Sequence, residues 1–197
     1  MRALIHSALL LSLVAASSSL SAQFSVSGGL IGALDSLKKA THASLAYTVG
    51  ADYNGHLPGT EIQARTGLAF ALMPGQAHNG LTTSLNLAQL HGDLFVPTGV
   101  KPMRAVVGLS LNHYGMSLKG TENTADPLDR DHHFPIRDAS GIKFGFRFGL
   151  DYALSSHMSL ELLYQQTELA GKDLNDPLVR QGGINPGWLQ VVFTYRF

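Results

Sequence analysis

The sequence has no cysteine, so it offers no disulfide, no thiol nucleophile and no Cys-ligated metal, and backbone hydrogen bonds and packing alone must hold its fold. Charge is also scarce. Asp, Glu, Lys and Arg make up 14% of the residues, against about 25% in an ordinary soluble domain, which suggests that something other than water covers much of the surface. The 14 basic residues are balanced by 14 acidic ones. With no basic excess to neutralise phosphates, composition argues against a nucleic-acid partner. The apolar stretch from Ala8 to Ala16 falls well short of the ~20 residues a membrane-spanning helix requires. Beyond it no window holds a helical period.

What is present begins with "MRALIHSALLLSLVAASSSLSAQ", in which Arg2 precedes that apolar stretch and small residues surround Ala22. This is the pattern of a secretory signal peptide. It predicts a leader over residues 1–22 and a single mature domain over 23–197.

In the mature region, period-two alternation recurs from end to end and is punctuated by Gly, Pro, Asn and Asp. The clearest stretch is "GIKFGFRFGLDYAL". Ile142, Phe144, Phe146, Phe148, Leu150, Tyr152 and Leu154 occupy one face, with Lys143, Gly145, Arg147, Gly149, Asp151 and Ala153 on the other. Only an extended strand separates two such sets. Similar alternation runs through Leu45–Tyr53, Ile62–Leu72, Val107–Leu111, Met158–Tyr164 and Leu189–Phe197. Adding strands near 23–33 and 81–96 makes eight. In the fourth strand Leu85 and Leu87 share a phase with Gln89 and His91, which predicts a phase-resetting bulge near Gly92.

Residues 54–59, 97–102 and 155–157 read as short turns, and 117–140 and 171–187 as long polar loops. Short turns at one end and long loops at the other describe an all-β, eight-stranded antiparallel up-and-down transmembrane barrel. An even strand count places both chain ends on the short-turn side.

Alternation alone does not say which face is wet. The polar face is mostly small or uncharged, whereas a soluble exterior is about 25–35% charged. Small residues suit a crowded bore. The charges on that face are of both signs, and folding the hairpin about Ser156 sets Asp151 opposite Glu161, a repulsion that a nearby cation must relieve. Pairing the last two strands brings Arg196 toward Glu161. Arg65, Arg147, Asp151, Glu161 and Arg196 are therefore expected to form an ionic cluster in the lumen. Phe24, Tyr53, Tyr152, Tyr195 and Phe197 fall in the apolar phase at the short-turn side, where a periplasmic aromatic girdle belongs.

With "KFGFRFGLDYAL", "MSLELLYQ" and the terminal "VVFTYRF", the pattern resembles the small outer-membrane β-barrel family of Gram-negative bacteria, eight-stranded proteins similar to the OmpA membrane domain and OmpX. The resemblance spans nearly the whole mature chain. It implies an outer-membrane location among lipid and lipopolysaccharide, and it implies that Phe193, Tyr195 and Phe197 form the signal read by the barrel-assembly machinery. The larger members' peptidoglycan-binding role is not implied, since no domain beyond the barrel is read here.

An eight-stranded barrel has a bore that its own side chains can fill, so a general porin is not expected, and the lumen charges read as mutually satisfying rather than as a gated ion path. "DRDHH" gathers Asp129, Asp131, His132 and His133, but no strand or helix enforces ligand spacing there, and a solvated acidic loop accounts for it. No metal or cofactor is expected. The 117–140 segment carries eight of the 28 charged residues and reads, with 171–187, as a surface for a ligand. His113 and Ser117 raise a second possibility, because some family relatives are lipases that cleave lipid A with a His and a Ser on the lipid-facing wall. The spacing in "HYGMS" is wider than in those enzymes and lacks an acidic orienter. The expected role is therefore not enzymatic. Gly28 and Gly29 are read as relief for lumen crowding.

Overall fold

The computed structural model describes residues 23–34, 37–38, 42, 45–76, 80–123, 131–167 and 187–197; the side chains of 121–123 and 131–139 are outside that description. The predicted leader, residues 1–22, lies outside it too. Eight strands follow in order: β1 (Gln23–Ala33), β2 (Leu45–His56), β3 (Gln63–Met73), β4 (Leu81–Pro97), β5 (Met103–Asn123), β6 (Asp131–Ala153), β7 (Met158–Thr167) and β8 (Gly187–Arg196). Each pairs antiparallel with the next, and β8 returns to β1. Closure gives every strand two partners, so the sheet has no open edge.

Turns at 57–62, 98–102 and 154–157 join strands at the end where Gln23 and Arg196 lie. In the first, the Leu57 amide donates to the Ile62 carbonyl at 2.9 Å, and Gly59 takes a φ of 72° that a side chain would oppose. This turn sits three residues later than the predicted 54–59, because Asn54 to His56 still pair with Arg65 to Gln63. The remaining connections gather at the opposite end, called here the loop end.

The alternation turns out as the apolar phase facing outward. Val49, Phe70, Leu109, Phe146, Leu162 and Val191 are all exposed on the outer wall. Each large apolar side chain left in water forgoes about 1.5–3 kcal/mol of burial, so a continuous belt of them is stable when hydrocarbon covers it. β1, β2, β3, β7 and β8 hold 10 to 12 residues, close to the ~9–11 that a tilted strand needs to cross a bilayer.

Two expectations are corrected. The segment 117–140 is largely paired strand: β5 and β6 run to 21 and 23 residues and stay paired out to Asn123 opposite Asp131. Past Gly120, the last β5 residue paired with β4, the described strands β5 and β6 pair only with each other, and backbone pairing outside the closed wall imposes no alternation, so pattern reading takes this ribbon for a loop. The register shifts between Leu118, opposite Arg137, and Lys119, opposite Pro135. Ile136 is thereby skipped, next to a proline that has no amide to give the ladder. The second correction concerns Gly92, which carries no bulge: β4 keeps continuous register with β3 and β5. Leu85, Leu87, Gln89, His91, Asp93 and Phe95 all face inward and are buried. The phase never resets; the lining of the bore changes along its length.

Candidate functional site: the layered bore

β4 alone samples every level of the interior. From the short-turn end its inward residues read Phe95, Asp93, His91, Gln89, Leu87 and Leu85, an aromatic, then ionisable groups, then an amide, then two leucines. Neighbouring strands supply matching residues at each level, and together they build four strata.

At the short-turn end, Phe95, Val106 and Leu163 form a small apolar cluster. The guanidinium carbons of Arg65 and Arg104 each lie 4.7 Å from the Phe95 ring centre, within the range of a cation–π contact. Arg104 donates to Asp151 through Nη2 at 2.5 Å and Nε at 2.8 Å, and through Nη1 to Gln63 Oε1.

Arg65 is the hub of the next level. Its Nη1 and Nη2 donate to the two oxygens of Glu161 at 2.6 and 2.8 Å, while Nη2 and Nε donate to Asp93 Oδ2 at 2.6 and 3.1 Å. The fork fits one carboxylate bidentately and still reaches a second. Thr194 Oγ1 adds a donation to Glu161 at 2.9 Å. Arg147 lies 3.4 Å from Asp93 Oδ1 through Nε and donates from Nη1 to Gln89 at 3.1 Å. His91 Nε2 stands 2.9 Å from Asp52 Oδ1. Four arginines, Arg65, Arg104, Arg147 and Arg196, thus share the bore with four carboxylates, Asp52, Asp93, Asp151 and Glu161. This balance lets charges remain at low dielectric.

Two glycines make that level possible. Gly67 sits opposite Asp52 and Gly108 opposite Asp93. A Cβ added to either would come within 2.0 Å of the facing carboxylate oxygen. Each aspartate leans across the space that the missing side chain frees.

Above the charges lies an amide level. Gln165 Nε2 donates to Asn112 Oδ1 at 3.1 Å, Gln89 Nε2 to the same oxygen at 2.7 Å, and Gln190 Nε2 to Gln165 Oε1 at 3.3 Å. A cavity of about 20 Å³, lined by Asp52, Gln89, His91 and Arg147 among others, has room for about one water molecule. A cavity of that size holds nothing larger than water. The loop end is closed by an apolar level that includes Ile31, Met73, Leu85, Leu87, Met116 and Trp188.

The five charged residues expected in the lumen, Arg65, Arg147, Asp151, Glu161 and Arg196, are all buried in the bore. Asp151 and Glu161 are in register as the hairpin about Ser156 requires, and their cations are Arg104 and Arg65 respectively. Arg196 departs from expectation. Its Nη2 donates to Ser159 at 3.0 Å and lies 3.8 Å from Asp151, not against Glu161, because β8 pairs with β7 so that Glu161 faces Val192. Sequence reading missed Asp52, His91, Asp93 and Arg104. Asp52 was in the polar phase of its strand, but His91 and Asp93 were hidden by the supposed bulge, and Arg104 stood just past a supposed turn. Small and ionic residues were expected in the bore; the structure adds apolar clusters that close both ends.

Phe24, Tyr53, Tyr152, Phe193, Tyr195 and Phe197 all lie in the outward phase, toward the short-turn end. Phe24 meets Tyr53 edge-on at 5.4 Å, and Tyr195 meets Phe197 edge-on at 5.3 Å. The Phe197 amide donates to the Phe24 carbonyl at 2.9 Å. His113 and Ser117 face outward on the same strand, four residues or ~13 Å apart, too far to share a hydrogen bond. The registered neighbours of His113 are Ala88 and Ile142, neither able to orient an imidazole. Gly29 faces inward, where an added Cβ would strike the Val191 carbonyl at 2.2 Å, whereas Gly28 is uncrowded. Asp129 and the side chains of Asp131, His132 and His133 lie outside the described residues, as does 168–186, which holds most of the 171–187 loop.

No protein-family model matches the sequence, and no curated protein matches it by sequence comparison. Solved structures do match in fold. Ail, the attachment invasion locus protein of Yersinia pestis, aligns with a TM-score of 0.54 at 8% identity over 89% of this chain and 97% of its own. Neisserial surface protein A aligns at 0.51 and 11% identity, covering 89% and 95%. The N-terminal β-barrel domain of Pseudomonas aeruginosa OprF aligns at 0.50 and 11%, covering 89% and 97%. Strand count, closure, antiparallel order and the outward apolar belt agree with these relationships: this chain has the fold of the small eight-stranded outer-membrane β-barrels.

Proposed function

We propose that the protein is an integral barrel of a Gram-negative outer membrane that carries no solute at rest and acts through what it displays at the loop end, in envelope integrity or surface binding. One observation carries the reading. Each of the eight strands contributes exposed apolar side chains to a belt around the closed wall, while the bore is filled by paired charges, amides and apolar caps, so the wall is built for lipid and the interior for rigidity. Such a scaffold leaves recognition to its loop end, where the β5–β6 ribbon rises beyond the last β4 pairing at Leu81 and Gly120. Ail, a structural neighbour, has been solved with the heparin analogue sucrose octasulfate, which supports polyanionic glycans as the first ligand class to try. Lipopolysaccharide surrounds the outer rim in this reading, and the barrel-assembly machinery recognises Phe193, Tyr195 and Phe197.

Fractionation tests the membrane claim. The protein should leave the membrane only with detergent and should change gel mobility on heating; recovery in the aqueous fraction would refute it. The display claim is tested by removing residues 120–138. Met116 and Ala139 are already paired, so 117–119 can close the shortened hairpin, and the variant should insert normally while losing retention on immobilised sulfated glycan. Unchanged retention would count against the ribbon as the binding surface. Deleting Phe197 is expected to lower the yield of inserted barrel without reducing export, measured by comparing membrane and periplasmic pools. Equal membrane yield would remove the assembly-signal role.

A further inference from the structure

The apolar level at the loop end is closed by a residue that no strand supplies. Leu37 belongs to the β1–β2 connection and would be expected in water, yet it is 1% exposed and packed in the cluster that holds Ile31, Met73, Leu85, Leu87 and Trp188. A short backbone turn holds it there. The Leu34 amide donates to the Gly187 carbonyl at 3.1 Å, tying the connection to the start of β8, and the amides of Leu37 and Lys38 donate back to the Leu34 carbonyl at 3.1 and 3.4 Å. The void left among these side chains is about 10 Å³, so the mouth is filled.

We propose that Leu37 is a stopper seated in a hydrophobic gate, and that this gate keeps outside water from the amide and ionic levels beneath it. The proposal rests on the membrane-barrel reading above and adds to it a defined closing element. A narrow section lined by aliphatic and aromatic carbon gives water no partners and empties of it. Among the polar atoms of this level, which also holds the Tyr114 hydroxyl, Trp188 Nε1 is buried with no hydrogen-bond partner among the described residues. That unmet donor weakens the closed arrangement and would gain a water partner when the stopper lifts. Burial of Leu37 acts in the opposite direction. Two opposed contributions at one site are what a closure that can open requires. With Leu37 withdrawn, the next groups met from outside are the amides of Gln89, Asn112, Gln165 and Gln190, followed by the Arg65 ion pairs.

The chain's composition makes the test direct, because Trp188 is its single tryptophan and there is no cysteine. In the barrel refolded in detergent micelles, iodide should quench Trp188 weakly in the parent and several-fold more strongly in Leu37→Asp. Leu37→Ala should shift it in the same direction by less. Heat-dependent gel mobility selects folded protein for each measurement. As an independent measure, a water-soluble maleimide should label Met73→Cys slowly, and several-fold faster when Leu37→Asp is added. Equal quenching of parent and Leu37→Asp, or labelling of Met73→Cys that ignores the residue at position 37, would overturn the stopper. Neither readout depends on cellular location, so failure of the membrane reading would show separately, in fractionation.

Discussion

Replacing Arg65 by alanine should destabilise the barrel by about 3–5 kcal/mol, the loss expected when one partner of a buried ion pair is removed. The cost arises because Glu161 and Asp93, both buried, would be left without the guanidinium that holds them at 2.6 Å. Their charge would remain in the bore with less to balance it. Urea unfolding of the refolded protein, followed by gel mobility and by Trp188 emission, measures the change. The diagnostic comparison is the double variant Arg65→Met, Glu161→Gln. It removes one charge of each sign and leaves Asp93 beside Arg147 at 3.4 Å, so it should cost less than Arg65→Ala alone despite altering two residues. If the double variant proves worse, the network is contributing more than compensation of its own desolvation.

Leu162→Arg should cost about 2–4 kcal/mol, the penalty for an arginine on the lipid face near the bilayer midplane. Leu162 lies midway along β7, outward and half exposed, in register with Leu150 and Val191. The same change at Met158, the first residue of β7, falls at the interface and should cost only about 0–1 kcal/mol, because the guanidinium reaches headgroups and water there. Reversible unfolding from lipid vesicles measures both. A depth profile of this kind is specific to a wall facing hydrocarbon. Were the outer wall in water, both arginines would be accommodated at similar small cost, and the assignment of the apolar face to lipid would fail.

The two experiments probe the two faces of one alternation, and the faces differed in how far they could be read from sequence. The outward face was legible because it answers to one uniform solvent. Every second residue of "KFGFRFGLDY" lies on the same outer wall, whatever its neighbours are, so a period of two is sufficient to find the strand and its phase. The inward face answers to particular partners across the bore. Arg65 and Glu161 are 96 residues apart in sequence, and nothing local to either marks the other. Leu85 and Leu87 looked out of phase beside Gln89 and His91 only because the apolar level they belong to is assembled from several strands at once. The ribbon of β5 and β6 escaped notice for a different reason: beyond Gly120 it pairs only with itself among the described residues, and a backbone ladder outside the closed wall constrains residue type very little.

Sequence alone therefore determined the strand class, their number, the antiparallel up-and-down order and the apolar phase that makes the outer wall. All of these follow from local periodicity, turn chemistry and a shortage of charge. Closure of the barrel decided the rest. It chose which arginine meets which carboxylate, placed Asp52 and Asp93 over the glycines of neighbouring strands, stacked the bore into levels and seated Leu37 beside Trp188, because those contacts join residues brought together only when the sheet curls and β8 pairs with β1.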